Sequence, residues 1–328
     1  MPPARLVRPR LLVAAVVGLV ALVVHPAGAV AAGEAPSVIS LSVPPVTVTV
    51  GKAVAVTGLV VDTSPDPRKL TLEFQTGAGW RRVAGGTTDA VGAYTLRVPT
   101  GWYGKHVLRV VAPAVDDLAQ GVSVTRTVTV TPGYEPRGSA TAWKTYDGRP
   151  RWDPCQVIPY RTNLSRAPDG TLAVVRRAFA IVHAATGLRF ARVGSTTKVP
   201  FTGAPRSKQF LARGLVIAWT TPRKVPRLAG SVAGLGGSTW RSTNGGPAGY
   251  VYGGVAVDAT QRLPAKGFAA GQSTGALLLH EIAHTVGLDH VGATSQLMYP
   301  QLQNTFKARF EAGDLAGLQA VGASRGCL

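Results

Sequence analysis

Residues 280–290, HEIAHTVGLDH, are the stretch of the sequence with the clearest chemical potential. His280 and His284 are four residues apart, so on a helix both imidazoles project from one face and can reach the same ion. Neutral imidazole nitrogens suit zinc, and three protein ligands with one open position are typical of a catalytic site. Glu281, beside the first histidine, is positioned to act as a general base toward water.

The third ligand depends on a turn after the helix. His290 lies six residues beyond His284, and a continuing helix would carry it away from the ion. Gly287 reaches positive φ without steric cost, so it can end the helix and let the chain return. One histidine, or a bare H-E-x-x-H, is often structural, but the full eleven-residue pattern arises by chance on the order of once in 10⁵ chains of this length. We therefore expect a metal site.

Two further motifs follow, with Met298 in SQLMYP and Asp314 in DLAGLQAV. The series HEIAHTVGLDH, LMYP and DLAGLQAV resembles the matrixin branch of the metzincin zinc metallopeptidases, in its secreted bacterial type. The resemblance covers residues 150–328 in pattern, and its specific motifs lie in residues 280–321. It implies an α+β zincin-like fold, a zinc-dependent endopeptidase acting on polypeptide substrates, the three histidines as ligands and Glu281 as the catalytic base.

The resemblance also implies roles for residues after the third histidine. Met298 would form the Met-turn, although core packing alone is an alternative. Tyr299 and Pro300 would contribute to the wall of the pocket for the side chain after the scissile bond. Asp314 would brace the Met-turn, and a simple helix cap is an equally good interpretation of it.

Residues 231–240, SVAGLGGSTW, are the candidate edge strand to which an extended substrate would add. Leu235 and Gly236 would then line the substrate site, with the glycines allowing the substrate backbone to approach. An ordinary glycine-rich loop explains the composition equally well.

The chain also departs from the matrixin pattern. Matrixins carry a structural zinc and several calcium ions, but this half of the chain lacks the histidines and carboxylates for such sites. The aspartates that precede the motif here are Asp147, Asp153, Asp169 and Asp258. We expect one catalytic zinc and neither structural zinc nor calcium. No cysteine precedes the catalytic half, so a cysteine-based latency switch is not expected.

Residues 1–31 have the features of a secretory signal peptide. Three arginines precede an unbroken apolar run, and small residues follow in HPAGAVAA. An uncleaved anchor is the alternative, but the run is short for a bilayer span of about 20 residues. We expect cleavage near residues 29–32 and a secreted, extracellular monomer.

The rest of the chain divides into two domains and a linker. Residues 32–132 alternate apolar and polar residues in short runs, which predicts an antiparallel β-sandwich. GWRRVAGGTTDAVGAYTLRV within it resembles bacterial immunoglobulin-like domains, and Trp80, Tyr94 and Trp102 are better interpreted as packing aromatics than as a ligand platform. Residues 133–149 predict a linker. Residues 150–328 predict an α+β domain with helices over 169–186, capped by Asp169, over 272–286 and over 311–322.

Export makes the two cysteines informative. Cys155 and Cys327 would form a disulfide in an oxidising compartment, and a latent metal-bound Cys155 is the rival interpretation.

The net charge is +19, and residues 133–328 hold 23 basic against 9 acidic side chains. This excess allows attraction to an anionic cell surface, but the basic residues are scattered and form no nucleic-acid motif, so no specific nucleic-acid partner is expected. A cell-surface binding or adhesion protein with an inactive or structural metal site is the alternative to an enzyme.

Overall fold

A computed structural model describes residues 35–43, 46–147, 150–242, 248–263 and 266–328. The expected signal peptide, residues 1–31, lies outside the described residues. Within those that are described, no helix combines the length and the apolar character needed to cross a bilayer.

Two β-sheets form the N-terminal half of the described chain. One has the strand order β1-β3-β6 and the other β2-β9-β7-β4-β5, with β8 paired to β7. Alternation along each strand places apolar residues on one face, and both sheets bury these faces in a common core. The strands are β1 (Val38–Ile39), β2 (Val46–Thr49), β3 (Val54–Val61), β4 (Lys69–Thr76), β5 (Gly79–Thr87), β6 (Ala93–Val98), β7 (Gly104–Ala112), β8 (Gly121–Val122) and β9 (Arg126–Thr131).

One strand pair departs from the predicted antiparallel arrangement. β2 runs parallel to β9, whereas the other pairs between the named strands of this half are antiparallel. The prediction was wrong for this pair because β2 and β9 come from opposite ends of the half. No short hairpin joins them, so no turn imposes an antiparallel direction.

The aromatic side chains of this half pack within the fold, as predicted. Tyr94 is buried, and its hydroxyl donates to a backbone carbonyl. The Trp102 ring meets Phe74 edge-on at 5.6 Å. The Arg109 guanidinium lies 4.2 Å from the centroid of the Trp80 ring.

A five-stranded sheet with order β12-β11-β13-β15-β14 forms the base of the C-terminal half. Its strands are parallel except for β14, which lies antiparallel to β15 at one edge. Helix α3 packs against β14 and against α1, so the sheet and helices make an α+β arrangement. The elements are β10 (Lys144–Thr145), β11 (Val157–Asn163), α1 (Thr171–Thr186), β12 (Arg189–Ser195), α2 (Arg206–Gln209), β13 (Gly214–Thr220), β14 (Gly234–Arg241), β15 (Gly249–Asp258), α3 (Thr274–Val286), β16 (Leu288–Asp289) and α4 (Ala312–Val321), with 3₁₀ turns at Pro226–Leu228 and Ala323–Arg325.

The helix starts differ from the predicted ones. Asp169 is exposed and does not cap α1, because left-handed Gly170 (φ 76°) occupies the N-cap position and makes no side-chain cap. Helix α3 begins at Thr274, where the Ser273 hydroxyl accepts a hydrogen bond from the Ala276 N–H at 3.2 Å. Capping by Ser273 supplies a partner to a backbone donor at the helix start.

The two halves contact each other directly. The Tyr103 N–H donates to the Ala184 carbonyl at 2.7 Å, and the Gly77 N–H donates to the Ser324 carbonyl at 2.8 Å. Residues 133–147, the described part of the predicted linker, lie along the C-terminal half and contribute β10, which pairs with β16. The predicted domain boundaries at 132 and 149 stay predictions.

A disulfide joins Cys155 to Cys327, with the two Cα atoms 5.3 Å apart and 172 residues between them in sequence. The predicted pairing is confirmed, and a metal-bound Cys155 is wrong because its sulfur is in the bridge. The bridge fixes the C-terminal tail beside Arg151, whose guanidinium donates to the carbonyls of Gly326 and Cys327 at 2.7 and 3.1 Å.

Removing this bridge with Cys155→Ala and Cys327→Ala together should destabilise the fold. The bridge restricts the unfolded chain over a long loop, so the free energy of unfolding should fall by up to about 5 kcal/mol. Guanidinium titration of both proteins measures the difference. Equal unfolding midpoints would contradict a stabilising role for the bridge.

Candidate metal centre

Helix α3 presents its two histidines on one face and then ends sharply. Gly287 adopts φ 122° and donates its N–H to the Ala283 carbonyl at 3.1 Å. The chain then reverses through β16, which brings His290 back beside His280 and His284. The predicted role of Gly287 as a positive-φ helix stop is confirmed.

The three imidazoles converge on one point. Their Nε2 atoms lie 3.1 Å from one another in each of the three pairs. His280 and His284 are buried, whereas His290 is exposed to solvent. The three imidazoles are therefore enclosed by protein at His280 and His284 and open to solvent at His290.

Backbone carbonyls fix the orientation of two of the rings. His280 Nδ1 donates to the Leu297 carbonyl at 2.7 Å, and His284 Nδ1 donates to the Leu288 carbonyl at 2.8 Å. A carbonyl oxygen can only accept, so each Nδ1 carries the hydrogen and each Nε2 directs a lone pair inward.

Protonation of these rings is disfavoured as well. Burial lowers the pKa of His280 to about 3 and that of His284 to about 4, with the neighbouring imidazoles contributing in the same direction. Burial also lowers the pKa of His290. The rings are therefore neutral at physiological pH, the form in which imidazole binds metal.

This arrangement fits a zinc ion. Two unprotonated acceptors at 3.1 Å cannot hydrogen-bond each other, so a shared cation is what makes their proximity favourable. Nitrogen ligands about 2.0–2.1 Å from a tetrahedral zinc ion stand roughly 3.3 Å from one another, close to the spacing of the three Nε2 atoms. His280, His284 and His290 would hold the ion, with the fourth direction facing the cleft.

The cleft in front of the histidines has a volume of about 700 Å³, and the buried Glu281 is among the residues that line it. Burial raises the pKa of the Glu281 carboxyl to about 8. A cation bound beside this carboxyl would lower its pKa again, because an opposite charge favours the carboxylate. The site therefore combines a metal-binding face with a titratable proton acceptor.

The edge strand β14 forms one wall of the cleft, and Leu235 and Gly236 are among the residues that line it. Two of its glycines lie against helix α3. A Cβ on Gly236 would lie 2.1 Å from the Glu281 carbonyl oxygen, and a Cβ on Gly234 would lie 2.8 Å from the Glu281 Oε1. Gly234 and Gly236 therefore leave room for helix α3, because alternate residues of a strand face the same side.

Asp314 connects the last helix to the histidines. Its Oδ2 accepts hydrogen bonds from the N–H groups of Leu297 at 2.7 Å and Glu311 at 2.9 Å, and its Oδ1 accepts from Met298 at 3.1 Å. It thus braces the turn and takes part in the capping box of α4. Burial raises the pKa of this carboxyl to about 6. Leu297 donates its N–H to Asp314 and accepts from His280 through its carbonyl. Leu297 therefore connects the Asp314 carboxylate to the metal site.

The turn after the third histidine is buried at Met298, whose carbonyl accepts from the Val291 N–H at 3.1 Å. Pro300 lines the cleft, as do Leu277 and Leu302. Tyr299 is not among the lining residues, because it packs, partly buried, against the core. The structure thus brings Pro300 to the site and leaves Tyr299 beside it.

Tyr146 also lies at the site, although the sequence pattern does not predict it. Its hydroxyl is 3.0 Å from His284 Nδ1, and its side chain lines the cleft. Burial raises the pKa of Tyr146. Tyr146 lies in residues 133–149, which the sequence predicts to be a linker. The alternation of polar and aromatic residues in WKTY (143–146) was the available strand signal.

Comparison with known proteins gives one finding. A family model described as matrixin matches residues 152–322, just over half of the chain. The matched region contains the three histidines, Glu281 and the turn at Met298. A search of curated proteins gives no match.

Asp314→Asn should destabilise both the fold and the metal site. Asparagine keeps one acceptor oxygen but turns an amide donor toward a backbone N–H, so the free energy of unfolding should fall by about 3 kcal/mol. Chemical unfolding with zinc retention measured in parallel would test this. Asp169→Asn is the matched control, because Asp169 is exposed and should change stability by less than about 0.5 kcal/mol. Equal losses in the two variants would contradict the brace.

Gly236→Ala should displace helix α3 from β14. The new Cβ would meet the Glu281 carbonyl, a backbone atom that cannot move aside cheaply, so stability should fall by about 1–3 kcal/mol. Gly237→Ala is the control, since its Cβ would meet only the Phe201 ring, at 4.0 Å. Thermal unfolding of the two variants compares them. A Gly236→Ala protein as stable as Gly237→Ala would refute the close contact.

Proposed function

The chain belongs to the matrixin family of metallopeptidases, and from this premise we propose that it is a secreted zinc-dependent endopeptidase in which Glu281 is the general base. The observation that carries the proposal is the convergence of three imidazole nitrogens within 3.1 Å of one another, beside a buried carboxyl and at the floor of an open cleft. A site that only stabilised the fold would need neither the cleft nor the carboxyl.

The proposed chemistry is hydrolysis of a peptide bond. A zinc ion at the three histidines would supply Lewis acidity and lower the pKa of water toward neutrality. Glu281 accepts the proton of the attacking water and passes it to the leaving amine, so one carboxyl serves both steps. The buried side chains of His280 and His284 keep bulk solvent from the protein side of the site. The open side admits the substrate.

An extended polypeptide is the substrate that this cleft suits. β14 is the last strand of its sheet, so its outer edge carries unpaired backbone groups along the cleft wall. A substrate strand can add to this edge through main-chain hydrogen bonds. Leu277, Pro300 and Leu302 also line the cleft and offer an apolar surface for the side chain after the scissile bond.

The remaining features extend the proposal to the whole chain. The basic and apolar pattern of residues 1–31 and the Cys155–Cys327 disulfide both favour an exported protein, since disulfides persist in oxidising compartments. The predicted immunoglobulin-like sandwich, residues 32–132, acts in this proposal as a spacer or targeting module. The proposal includes one zinc per chain, no calcium, and a monomer able to associate with anionic surfaces.

Glu281→Gln tests the assigned base. Glutamine cannot accept a proton, so kcat/KM for casein or a peptide library should fall by about 10²–10⁴. Zinc content should stay at the wild-type level, because the three histidines remain. Asp169→Asn is the matched control: Asp169 is exposed and outside the cleft, and its loss should leave activity unchanged.

Wild-type activity in Glu281→Gln would remove the general-base assignment. A wild-type protein that binds zinc but cleaves no peptide in a broad library would instead favour a binding or adhesion protein with a structural metal site.

A further inference from the structure

The segment between the two halves is bound to the metal centre along much of its length. We call residues 134–146 the strap. It follows the last strand of the N-terminal half and ends at Tyr146, in the cleft. Its residues lie before the region that matches the family model, which begins at residue 152. The strap therefore lies outside the matched region.

The first part of the strap is held by the turn and helix that brace His280. The Tyr134 hydroxyl donates to the Phe310 carbonyl at 2.6 Å. The Arg137 N–H donates to Glu311 Oε2 at 2.6 Å, and its carbonyl accepts from the Gln296 amide at 3.2 Å. These bonds join the strap to the start of α4 and to the turn before Met298.

Close packing continues along the middle of the strap. A Cβ on Gly313 would lie 2.2 Å from the Ala142 carbonyl oxygen, so the absence of a side chain at this position lets the strap lie against α4. Gly138 takes φ 77°, and a Cβ there would lie 2.4 Å from the Gln296 amide nitrogen. The strap thus fits the surface it covers and has little freedom to shift.

The last part of the strap pairs with the loop between the second and third histidines. β10 lies antiparallel to β16, with Lys144 opposite Asp289 and Thr145 opposite Leu288. The Lys144 ammonium contacts Asp289 Oδ2 at 2.8 Å. Without this pairing, β16 would be a two-residue strand with no partner, because in the described structure β10 is the strand that pairs with it.

Both residues of β16 hydrogen-bond to a histidine, Leu288 to the ring of His284 and Asp289 to the backbone of His290. The Leu288 carbonyl accepts from His284 Nδ1 at 2.8 Å, and Asp289 Oδ1 accepts from the His290 N–H at 2.8 Å. The strap adds a contact of its own, since the Tyr146 hydroxyl oxygen is 3.0 Å from the same His284 Nδ1. His284 Nδ1 carries the hydrogen that it donates to the Leu288 carbonyl. The Tyr146 oxygen is therefore a second acceptor for the same hydrogen.

We propose that the strap is a positioning element of the metal centre, in which Lys144 and Tyr146 hold β16 and His284 so that His284 and His290 stay aligned on one zinc ion. The inference rests on the proposed zinc site but not on peptide cleavage. Partners that orient metal-binding histidines raise metal affinity, and losing such a partner typically weakens binding about 10–100-fold. The part of the chain that supports the metal centre therefore begins near residue 134.

The test is the zinc affinity of the full-length Lys144→Met/Tyr146→Phe variant, measured by competition with a chromophoric chelator. The dissociation constant for zinc should rise about 10-fold or more. Thermal unfolding of the zinc-free proteins should change little, because the variant loses one exposed charge and one hydroxyl. Should this variant fail to fold, Tyr146→Phe alone carries the test, with a smaller rise expected.

The matched control is Lys208→Met/Tyr160→Phe, which removes the same groups elsewhere. Lys208 is exposed on α2, and Tyr160 stacks on Phe179 at 4.0 Å, away from the cleft. This control should keep the wild-type zinc affinity within twofold. Strap variants that bind zinc as tightly as the control would overturn the proposal and leave the peptidase assignment intact. A wild-type chain with no zinc affinity would overturn both.

Discussion

Three unprotonated imidazole nitrogens face one another at 3.1 Å, and the fold has to hold them there against the repulsion of their lone pairs. A bound cation turns this repulsion into coordination, but the three Nε2 atoms must first be oriented toward one point. Two backbone carbonyls fix the ring orientation: Leu297 accepts from His280, and Leu288 accepts from His284. The rest of the site is built to keep these two carbonyls in position.

Each carbonyl is held by a different part of the chain. Leu297 belongs to the turn whose N–H groups are bound by the buried Asp314 carboxylate at the start of α4. Leu288 belongs to β16, which is paired with β10 of the strap. Between them, α3 is seated on an edge strand whose glycines leave room for the helix backbone. One cleft wall and both carbonyls are thus fixed by elements far apart in sequence.

The sequence was informative where chemistry is set by local geometry. Helical spacing puts His280 and His284 on one face, and the positive φ of Gly287 returns His290, so the site could be predicted from eleven residues. It was uninformative where a short segment acquires its role from a distant partner. β10 and β16 have two residues each, too few for periodicity, so the sequence predicts Tyr146 as part of a linker. Likewise, the sequence predicts that the glycines of β14 let a substrate backbone approach. Only the fold shows that Glu281 lies against Gly234 and Gly236.

X-ray absorption at the zinc edge of the purified full-length protein tests whether the three histidines bind one ion. We expect one zinc per chain, with three imidazole nitrogens at about 2.0–2.1 Å and one oxygen from water as the fourth ligand. Fewer imidazoles, a sulfur ligand, or a fourth position filled by a protein group would contradict it.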